Sequence, residues 1–290
     1  MLNNIFQKGK TVLSCEVFPP KRNDDMYTIF KTLDEIQSYA PDFISVTYGA
    51  GGSTSKKTAT IAAYIQNICE IEALAHLTSV AMDEPFLRQM VTELHSKGVH
   101  NVLALRGDQP RDMSDEDFKN RCFQHASDII PIIRDASDSD ICIAAACYPE
   151  KHPESATVED DLLYLKKKAD TGVNFFITQM FFDNDKFLQF REAACAHGIN
   201  TPITAGIMPI TSAKQIGTSV QLSGSSVPTE LSNLLAKYGD NPEDMRKAGI
   251  DYAIRQINHL AEHDVDGIHL YTMNKSDVTK EIFQQIHIKR

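Results

Sequence analysis

Residues 141–182 decide the fold, and they read ICIAAACYPEKHPESATVEDDLLYLKKKADTGVNFFITQMFF. The apolar runs Ile141–Tyr148 and Asn174–Phe182 are typical of buried β-strands, and the amphipathic segment Val158–Thr171 between them is typical of a helix. Gly172 stands where a left-handed cap would end that helix. The stretch therefore predicts two parallel strands joined by a helical crossover.

The same alternation continues along the whole chain. Apolar or β-branched runs recur eight times, and a helix-like segment follows each of them. The predicted strands are Thr11–Phe18, Phe43–Tyr48, Ala73–Ala81, Asn101–Leu105, Ile141–Tyr148, Asn174–Phe182, Pro202–Ile210 and Gly267–Thr272. Eight such units predict an α/β fold of the (β/α)8 TIM-barrel class, organised as a single domain over residues 1–290.

Composition narrows the class of protein. The 290 residues are 42% hydrophobic, which is enough to bury a substantial core, and the net charge of -10 argues against a nucleic-acid or polybasic membrane surface. The segment Met1–Thr11 lacks the apolar core of a signal peptide, and no apolar run approaches the ~20 residues that span a bilayer. The six cysteines include no CxxC pair. We expect reduced thiols, a cytoplasmic location, and no nucleic-acid or membrane partner.

Polar side chains gather at the carboxyl ends of the predicted strands, which form the active-site face of such a barrel. They are Glu16, Thr47, Tyr48, His76, Thr78, Arg106, Asp108, Tyr148, Glu150, His152, Gln179, Tyr271, Asn274 and Lys275. This set of acids, amides, aromatic rings and a few cations suits a planar cofactor and a planar substrate better than it suits hydrolysis.

Structural alternatives remain open for the individual residues. Glu16 could pair with a neighbouring arginine, and Arg106 could close a turn by pairing with Asp108. His76 and His152, taken singly, are more often structural histidines than ligands.

Several common chemistries lack their sequence motifs. No His, Cys or Asp group has metal-ligand spacing, so we expect no metal, and there is no G-x-S-x-G elbow. Gly49–Gly52 follows a strand, but Thr54 at the sixth position breaks the dinucleotide-binding fingerprint.

A set of motifs in fixed order resembles one enzyme family, methylenetetrahydrofolate reductase, over nearly the whole chain. The motifs are EVFPPK, SVTYGAGGS, HLT, ALRGD, YPEKHPES, DLLYLKKK, ITQMFFD, GIMPI and YTMN. The resemblance implies a barrel that binds FAD non-covalently and uses NADH or NADPH to reduce 5,10-methylenetetrahydrofolate to 5-methyltetrahydrofolate, which supplies methyl groups for methionine synthesis. We further expect a homo-oligomer, and no C-terminal domain of the kind through which larger relatives respond to S-adenosylmethionine.

The resemblance also implies roles for individual residues. Glu16 matches the general acid, and Asp108 matches the acid between flavin and pterin. Thr47 and Gln179 match contacts to nicotinamide, and the folate contacts are Asp108, Gln179 and Lys275. The positions assigned to the cofactors are Thr47, Tyr48, Ala50, His76, Arg106, Gly107, Asp108, His125, Ala126, Tyr148, His152, Asp161, Tyr164, Lys167 and Lys168.

Some of these positions depart from the family's pattern. His125, Tyr164 and Lys167 replace Tyr, Asn and Arg, while Lys275 stands where an Arg is frequent and Ser219 where some members have Phe. The spacing of Asp161, Tyr164 and Lys168 places them on one helical face, although Lys167 and Lys168 could equally belong to a solvated lysine run.

Two other functions are weighed against this one. A proline-dehydrogenase-like barrel flavoenzyme is disfavoured by the order of the motifs. A catalytically silent binding barrel is disfavoured because Glu16, Asp108 and Gln179 are all intact.

Overall fold

A computed structural model describes residues 1–20, 25–48, 52–110, 112–137 and 140–290, without the side chains of residues 52–55. Within these ranges the strands are β1 (Val12–Val17), β2 (Phe43–Val46), β3 (Glu72–Thr78), β4 (Asn101–Leu105), β5 (Cys142–Cys147), β6 (Phe175–Thr178), β7 (Ile203–Ile207) and β8 (Gly267–Tyr271). The helices are α1 (Met26–Gln37), α2 (Gly52–Asn67), α3 (Glu84–Ser96), α4 (Asp115–Lys119), α5 (Ala126–Ala136), α6 (Val158–Asp170), α7 (Asn184–Ala196), α8 (Ala213–Ser223), α9 (Thr229–Tyr238), α10 (Pro242–Glu262) and α11 (Ser276–Phe283).

The eight strands form one closed barrel in chain order, β1 to β8, with helices around it. Strands such as β1, β2 and β7 are buried along their whole length. Parallel strands need cover on both faces, which explains why they are apolar without strict alternation. The (β/α)8 barrel predicted from the sequence is confirmed.

Each of the eight predicted runs coincides with one strand, although β3 begins one residue before its run, at Glu72, and several strands are shorter than the run that predicted them. β6 ends at Thr178, whereas the apolar run continues through Phe181 and Phe182, which are themselves buried. In the same way, β7 ends at Ile207, and the buried Ile210 lies beyond it. These side chains are apolar because the loop after the strand packs into the core, and not because the strand is longer.

The chain divides into two compact units, which are described in turn. The first comprises Met1–Asn4, Glu16–Ala146 and Lys167–Phe175. In it β2, β3, β4 and β5 pair in parallel, and Val102 in β4 lies in register with Ala75 in β3 and Ile143 in β5. The second comprises Ile5–Cys15, Cys147–Lys166 and Phe176–Arg290. The single-domain organisation and the homo-oligomer expected from the sequence stay predictions.

In the second unit, β6, β7 and β8 pair in parallel, with Phe176 opposite Ile203 and Thr204 opposite Gly267. A cluster of buried apolar side chains lies beyond the strand ends, where α9 and α10 pack. Its members are Met180, Phe182, Met208, Ile210, Leu231 and Met245.

Helix α3 illustrates how the sequence sets the bounds of the helices. Asp83 caps its first turn, because Asp83 Oδ1 accepts a hydrogen bond from Phe86 N over 2.9 Å. The helix buries a stripe formed by Leu87, Met90, Val91 and Leu94, which recur at helical spacing. It ends before Gly98, whose φ of 79° is the left-handed conformation that the cap requires. Gly172 has φ of 85°, as the sequence predicted, and Gly198 after α7 has the same left-handed conformation with φ of 73°.

None of the helices in the described ranges is both long enough and apolar enough to cross a membrane.

Candidate functional site

A buried carboxylate, Glu16, is the central feature of the first unit. Its Oε2 atom lies 3.3 Å from Nε2 of His76, and Ser45 Oγ donates a hydrogen bond to the same oxygen over 3.5 Å. Glu16 and His76 are each 6% exposed and Ser45 is 0% exposed. The structure therefore brings two predicted strand-end residues, Glu16 and His76, into one contact that is shielded from bulk water.

Ser45 is a partner that the sequence analysis missed. It lies in β2, two residues before Thr47, and side chains two apart on a strand share a face. That alternation was the available signal. From this alternation one can predict that Ser45 and Thr47 share a face of the sheet. One cannot predict that Ser45 lies beside Glu16, because the pairing register of β1 and β2 depends on both strands together.

Arg106, Gly107 and Asp108 follow β4 and form its turn. Gly107 has φ of 84°, a conformation that other residues rarely adopt, and a Cβ atom there would lie only 3.0 Å from Thr78 Cβ, so a larger residue would be strained. Arg106 Nε donates to the Gly107 carbonyl over 3.2 Å, and the Arg106 guanidinium lies 5.6 Å from the ring centroid of Phe118. Asp108 is exposed to solvent. The turn thus presents a cation and a carboxylate at the carboxyl end of β4.

Thr47 and Tyr48 follow β2 and are half-buried. The backbone of Thr47 is fixed on both sides, because its N–H donates to the Val17 carbonyl over 3.1 Å and its carbonyl accepts from Thr58 Oγ1 over 2.9 Å. Ala50 lies outside the described residues.

His125 and Ala126 begin α5. The carboxylate of Asp128 accepts hydrogen bonds from the backbone N–H groups of Gln124 and His125, over 2.9 and 2.8 Å. This arrangement satisfies donors that would otherwise be left over at the helix start. The His125 side chain is exposed, and Ala126 is half-buried.

Helix α6 carries four of the predicted cofactor residues, and they differ in exposure. Lys167 and Tyr164 are exposed, whereas Asp161 and Lys168 are half-buried. The Lys168 ammonium donates to the carbonyl of Ala146, one residue before the end of β5. Asp161 Oδ1 accepts a hydrogen bond from Ser155 Oγ over 2.7 Å.

The loop after β5 holds an aromatic pair in the second unit. The rings of Tyr148 and His152 meet edge to face, with centroids 4.6 Å apart. Glu154 N donates to His152 Nδ1 over 3.0 Å, which fixes the ring orientation. Lys151, with φ of 78°, has left-handed backbone, and its ammonium donates to the Ser155 carbonyl over 2.6 Å. A non-glycine residue in that conformation stores strain, which is typical of functional loops.

Gln179 lies directly after β6 and is half-buried. Its backbone N–H donates to the Cys147 carbonyl over 2.7 Å, and its side-chain Oε1 accepts from Met180 N over 2.9 Å. The side-chain amide nitrogen of Gln179 carries the remaining donors of that group. The position therefore provides a fixed amide at the carboxyl end of β6.

Lys275 follows β8 and donates a hydrogen bond to Thr211 Oγ1 over 2.9 Å. Thr211 is a second residue that the sequence analysis missed, although it directly follows the GIMPI motif that was singled out. Met273 and Asn274, with φ of 52° and 56°, precede Lys275 in left-handed backbone. Two adjacent non-glycine residues in this conformation again indicate a strained loop.

A sequence model of the methylenetetrahydrofolate reductase family matches residues 1–287. The chain is 35% identical over 282 residues to methylenetetrahydrofolate reductase (NADH) 1 of Arabidopsis thaliana, with 94% of this chain and 48% of that protein covered. It is 30% identical over 282 residues to 5,10-methylenetetrahydrofolate reductase of Escherichia coli (strain K12), with 97% and 93% covered. The chain thus spans about half the length of the plant relative and most of the bacterial one.

A solved structure with the same fold comes from Clostridium thermocellum and is described as an uncharacterized protein that binds two copies of 5-methyl-5,6,7,8-tetrahydrofolic acid. Its TM-score is 0.66 at 15% identity, with 96% of this chain and 95% of that chain covered. This likeness concerns the fold alone. The family model and the two sequence relatives carry the assignment: the chain belongs to the methylenetetrahydrofolate reductase family.

Proposed function

We propose that this chain reduces 5,10-methylenetetrahydrofolate to 5-methyltetrahydrofolate with electrons from NADH or NADPH, through non-covalently bound FAD, and so supplies methyl groups for methionine synthesis. Family membership supports the reaction class. The observation that carries the proposal is the buried Glu16 carboxyl group, held beside His76 Nε2 and Ser45 Oγ.

The chemistry of the substrate explains why a buried acid is needed. Opening the five-membered ring of methylenetetrahydrofolate requires a proton on one ring nitrogen, because that nitrogen otherwise leaves as an anion. Positioned acids of this kind contribute about 10²–10⁴-fold to rate. Glu16 donates this proton, while His76 and Ser45 orient its carboxyl group. In a shielded site the proton goes to the substrate and not to bulk water.

Asp108 has the complementary role. Ring opening leaves a positively charged folate intermediate, and a carboxylate close to that charge lowers the energy of the transition state. Asp108 is exposed in the turn after β4, so its carboxylate is accessible to a ligand. Gln179 and Lys275 contribute an amide and an ammonium group to the folate, and Thr47 and Gln179 contact the nicotinamide.

The residues fit an FAD cofactor by the chemistry of their donors. Lys167, Lys168 and Arg106 supply cations for a diphosphate, and Asp161 supplies a carboxylate for ribose hydroxyl groups. The Tyr148–His152 ring pair supplies aromatic surface, and Gly107 allows close approach of the backbone. The remaining contacts that we assign are Tyr48, Ala50, His76, His125, Ala126 and Tyr164. FAD, when bound, relays two electrons from the nicotinamide to the folate.

We also propose a cytoplasmic location. All six cysteines are reduced thiols in the structure, and four of them are buried. Such cysteines are typical of a reducing compartment.

The substitution Glu16→Gln tests the proposal. Glutamine keeps the shape of the side chain but cannot supply a proton. Stopped-flow absorbance at the flavin band follows bleaching by reduced nicotinamide and, separately, recovery on addition of methylenetetrahydrofolate. We expect the bleaching rate to stay within about tenfold of the parent, and the recovery rate to fall by about 10²–10⁴-fold.

Glu72→Gln is the matched control. Glu72 is at the first position of β3, where it contacts the amino group of Met1 and Asn101, so both rates should be retained. If flavin absorbance recovers in Glu16→Gln at the rate of the parent, Glu16 is not the proton donor. Equal losses in both steps would mark it as a structural residue, and a protein that binds no FAD would overturn the flavoenzyme assignment.

A further inference from the structure

Three side chains with metal-ligating atoms converge in the first unit, outside the set of residues assigned to the cofactor and substrate. They are His95 in the last turn of α3, His100 directly before β4, and Asp140 before β5. One ligand atom from each lies within 4.8 Å of the other two. His100 and Asp140 precede their strands, so this cluster lies at the amino ends of β4 and β5, whereas the turn of Arg106 to Asp108 follows the carboxyl end of β4.

The distance between His100 and Asp140 suits a shared ion better than a direct contact. His100 Nδ1 lies 3.7 Å from Asp140 Oδ2, which is too long for a hydrogen bond. That nitrogen is buried and has no hydrogen-bond partner among the described residues. Zinc binds nitrogen and oxygen at about 2.0–2.2 Å, so two ligand atoms of a tetrahedral site lie about 3.4 Å apart.

Backbone hydrogen bonds fix the three positions before any ion is bound. The His100 carbonyl accepts from Cys142 N over 2.8 Å, which ties His100 to the start of β5. The His95 carbonyl accepts from Gly98 N over 2.9 Å, and Asp140 N donates to Ser137 over 3.0 Å. The rings of His95 and His100 already touch, with centroids 4.3 Å apart at 77°. Binding would therefore require only small side-chain rotations.

We propose that His95, His100 and Asp140 form a site for a divalent transition-metal ion of the zinc class. Two imidazoles and one carboxylate suit zinc, cobalt or nickel, whereas calcium and magnesium prefer oxygen ligands only. Three protein ligands leave room for water in the remaining position. The bound ion links the α3–β4 connection to the α5–β5 connection and so stabilises the first unit.

This proposal departs from the absence of a metal that we expected from sequence spacing. His95 and His100 are five residues apart, and Asp140 follows forty residues later. The two histidines alone have the H-x3–5-H spacing found in zinc sites, but no second ligand pair accompanies them in sequence. Asp140 is brought to them only by the pairing of β4 with β5.

Calorimetric titration of Zn²⁺ into the full chain, after treatment with EDTA, tests the site. We expect one Zn²⁺ per chain at this site, with the affinity lowered at least about tenfold in His100→Ala and in Asp140→Asn, since loss of even an outer-shell partner costs 10–100-fold. Asp140→Asn keeps the shape of a largely exposed side chain, so it carries the test if His100→Ala does not fold. Zn²⁺ should also raise the thermal midpoint of the parent and not that of Asp140→Asn.

His197→Ala is the matched control. His197 Nε2 lies 3.0 Å from Glu159, so this is a histidine–carboxylate pair and not a cluster of three ligands. This variant should leave Zn²⁺ binding unchanged. Unaltered affinity in both His100→Ala and Asp140→Asn would overturn the proposal. Loss of Zn²⁺ binding in His263→Ala would also overturn the proposal. His259 and His263 have ring centroids 4.4 Å apart and are therefore an alternative location for the bound ion.

Discussion

Lys167 and Lys168 are neighbours in sequence, yet the structure gives them different surroundings. Lys168 is half-buried and donates to the Ala146 carbonyl in β5, whereas Lys167 is exposed. A lysine run on a solvated face would not make such a contact with a barrel strand. The contact favours Lys168 as the residue whose ammonium group is held in place near the carboxyl end of β5.

Lys168→Ala should therefore weaken FAD binding. A hydrogen bond to a charged group contributes about 1.5–3 kcal/mol, which corresponds to a loss of about tenfold or more in affinity. Titration of FAD into the apoprotein, followed by flavin fluorescence, measures the dissociation constant. Lys280→Ala, on the exposed surface of α11, is the control and should change nothing. If Lys168→Ala and the control have the same dissociation constant for FAD, Lys168 does not contribute to FAD binding and is part of a solvated lysine run.

The sequence predicted which residues stand at strand ends, but not which of them touch. Glu16 and His76 were both singled out, and only the structure shows that they lie 3.3 Å apart. That distance depends on the register of β1, β2 and β3, which no single strand encodes. Ser45 and Thr211 were missed for the same reason, because each becomes relevant only through a partner on another element.

At the level of elements, the carboxylate of Glu150 joins three separate segments of the second unit. It accepts hydrogen bonds from Ser226 N and Ser226 Oγ, the latter over 2.6 Å, and it lies 2.9 Å from Lys186 Nζ. Hydrogen bonding to this carboxylate raises the pKa of Lys186 above its ordinary value. The loop after β5, helix α7 and the α8–α9 connection are thereby held together by one side chain.

Glu150→Gln should loosen this junction. Glutamine preserves the shape but removes the charge, so the bonds to Ser226 and Lys186 weaken and stability falls by about 1–3 kcal/mol. The thermal midpoint should fall by several degrees, as measured by circular dichroism. Glu159→Gln is the control, because Glu159 pairs with His197 at an exposed site where such pairs contribute little. Equal midpoints for the two variants would contradict the role of Glu150.

Elements as such were predictable, because strand and helix periodicity are local properties of the chain. All eight strands were found, and β4 has the predicted bounds Asn101–Leu105. The junction at Glu150 was not predicted, since Ser226 is 76 residues away in the sequence.

At the scale of the whole molecule, stability depends on how closely helices approach the barrel. Gly249 in α10 is the clearest case in the described chain. A Cβ atom at this position would lie 1.8 Å from the Ile210 carbonyl oxygen, which is far inside van der Waals contact. The absence of a side chain therefore lets α10 pack against the segment after β7, next to the apolar cluster that contains Ile210 and Met245.

Gly249→Ala should destabilise the protein although alanine is the better helix former. The gain in helix propensity is about 1 kcal/mol, whereas forcing α10 away from the Ile210 backbone costs about 1–3 kcal/mol or more. The free energy of unfolding should therefore decrease. Gly217→Ala is the matched control, because Gly217 is also helical and a Cβ atom there would meet nothing within 4 Å. That variant should raise the thermal midpoint slightly, while Gly249→Ala lowers it. A rise of the midpoint in both variants would show that α10 can shift at little cost, and the close packing against Ile210 would then not limit stability.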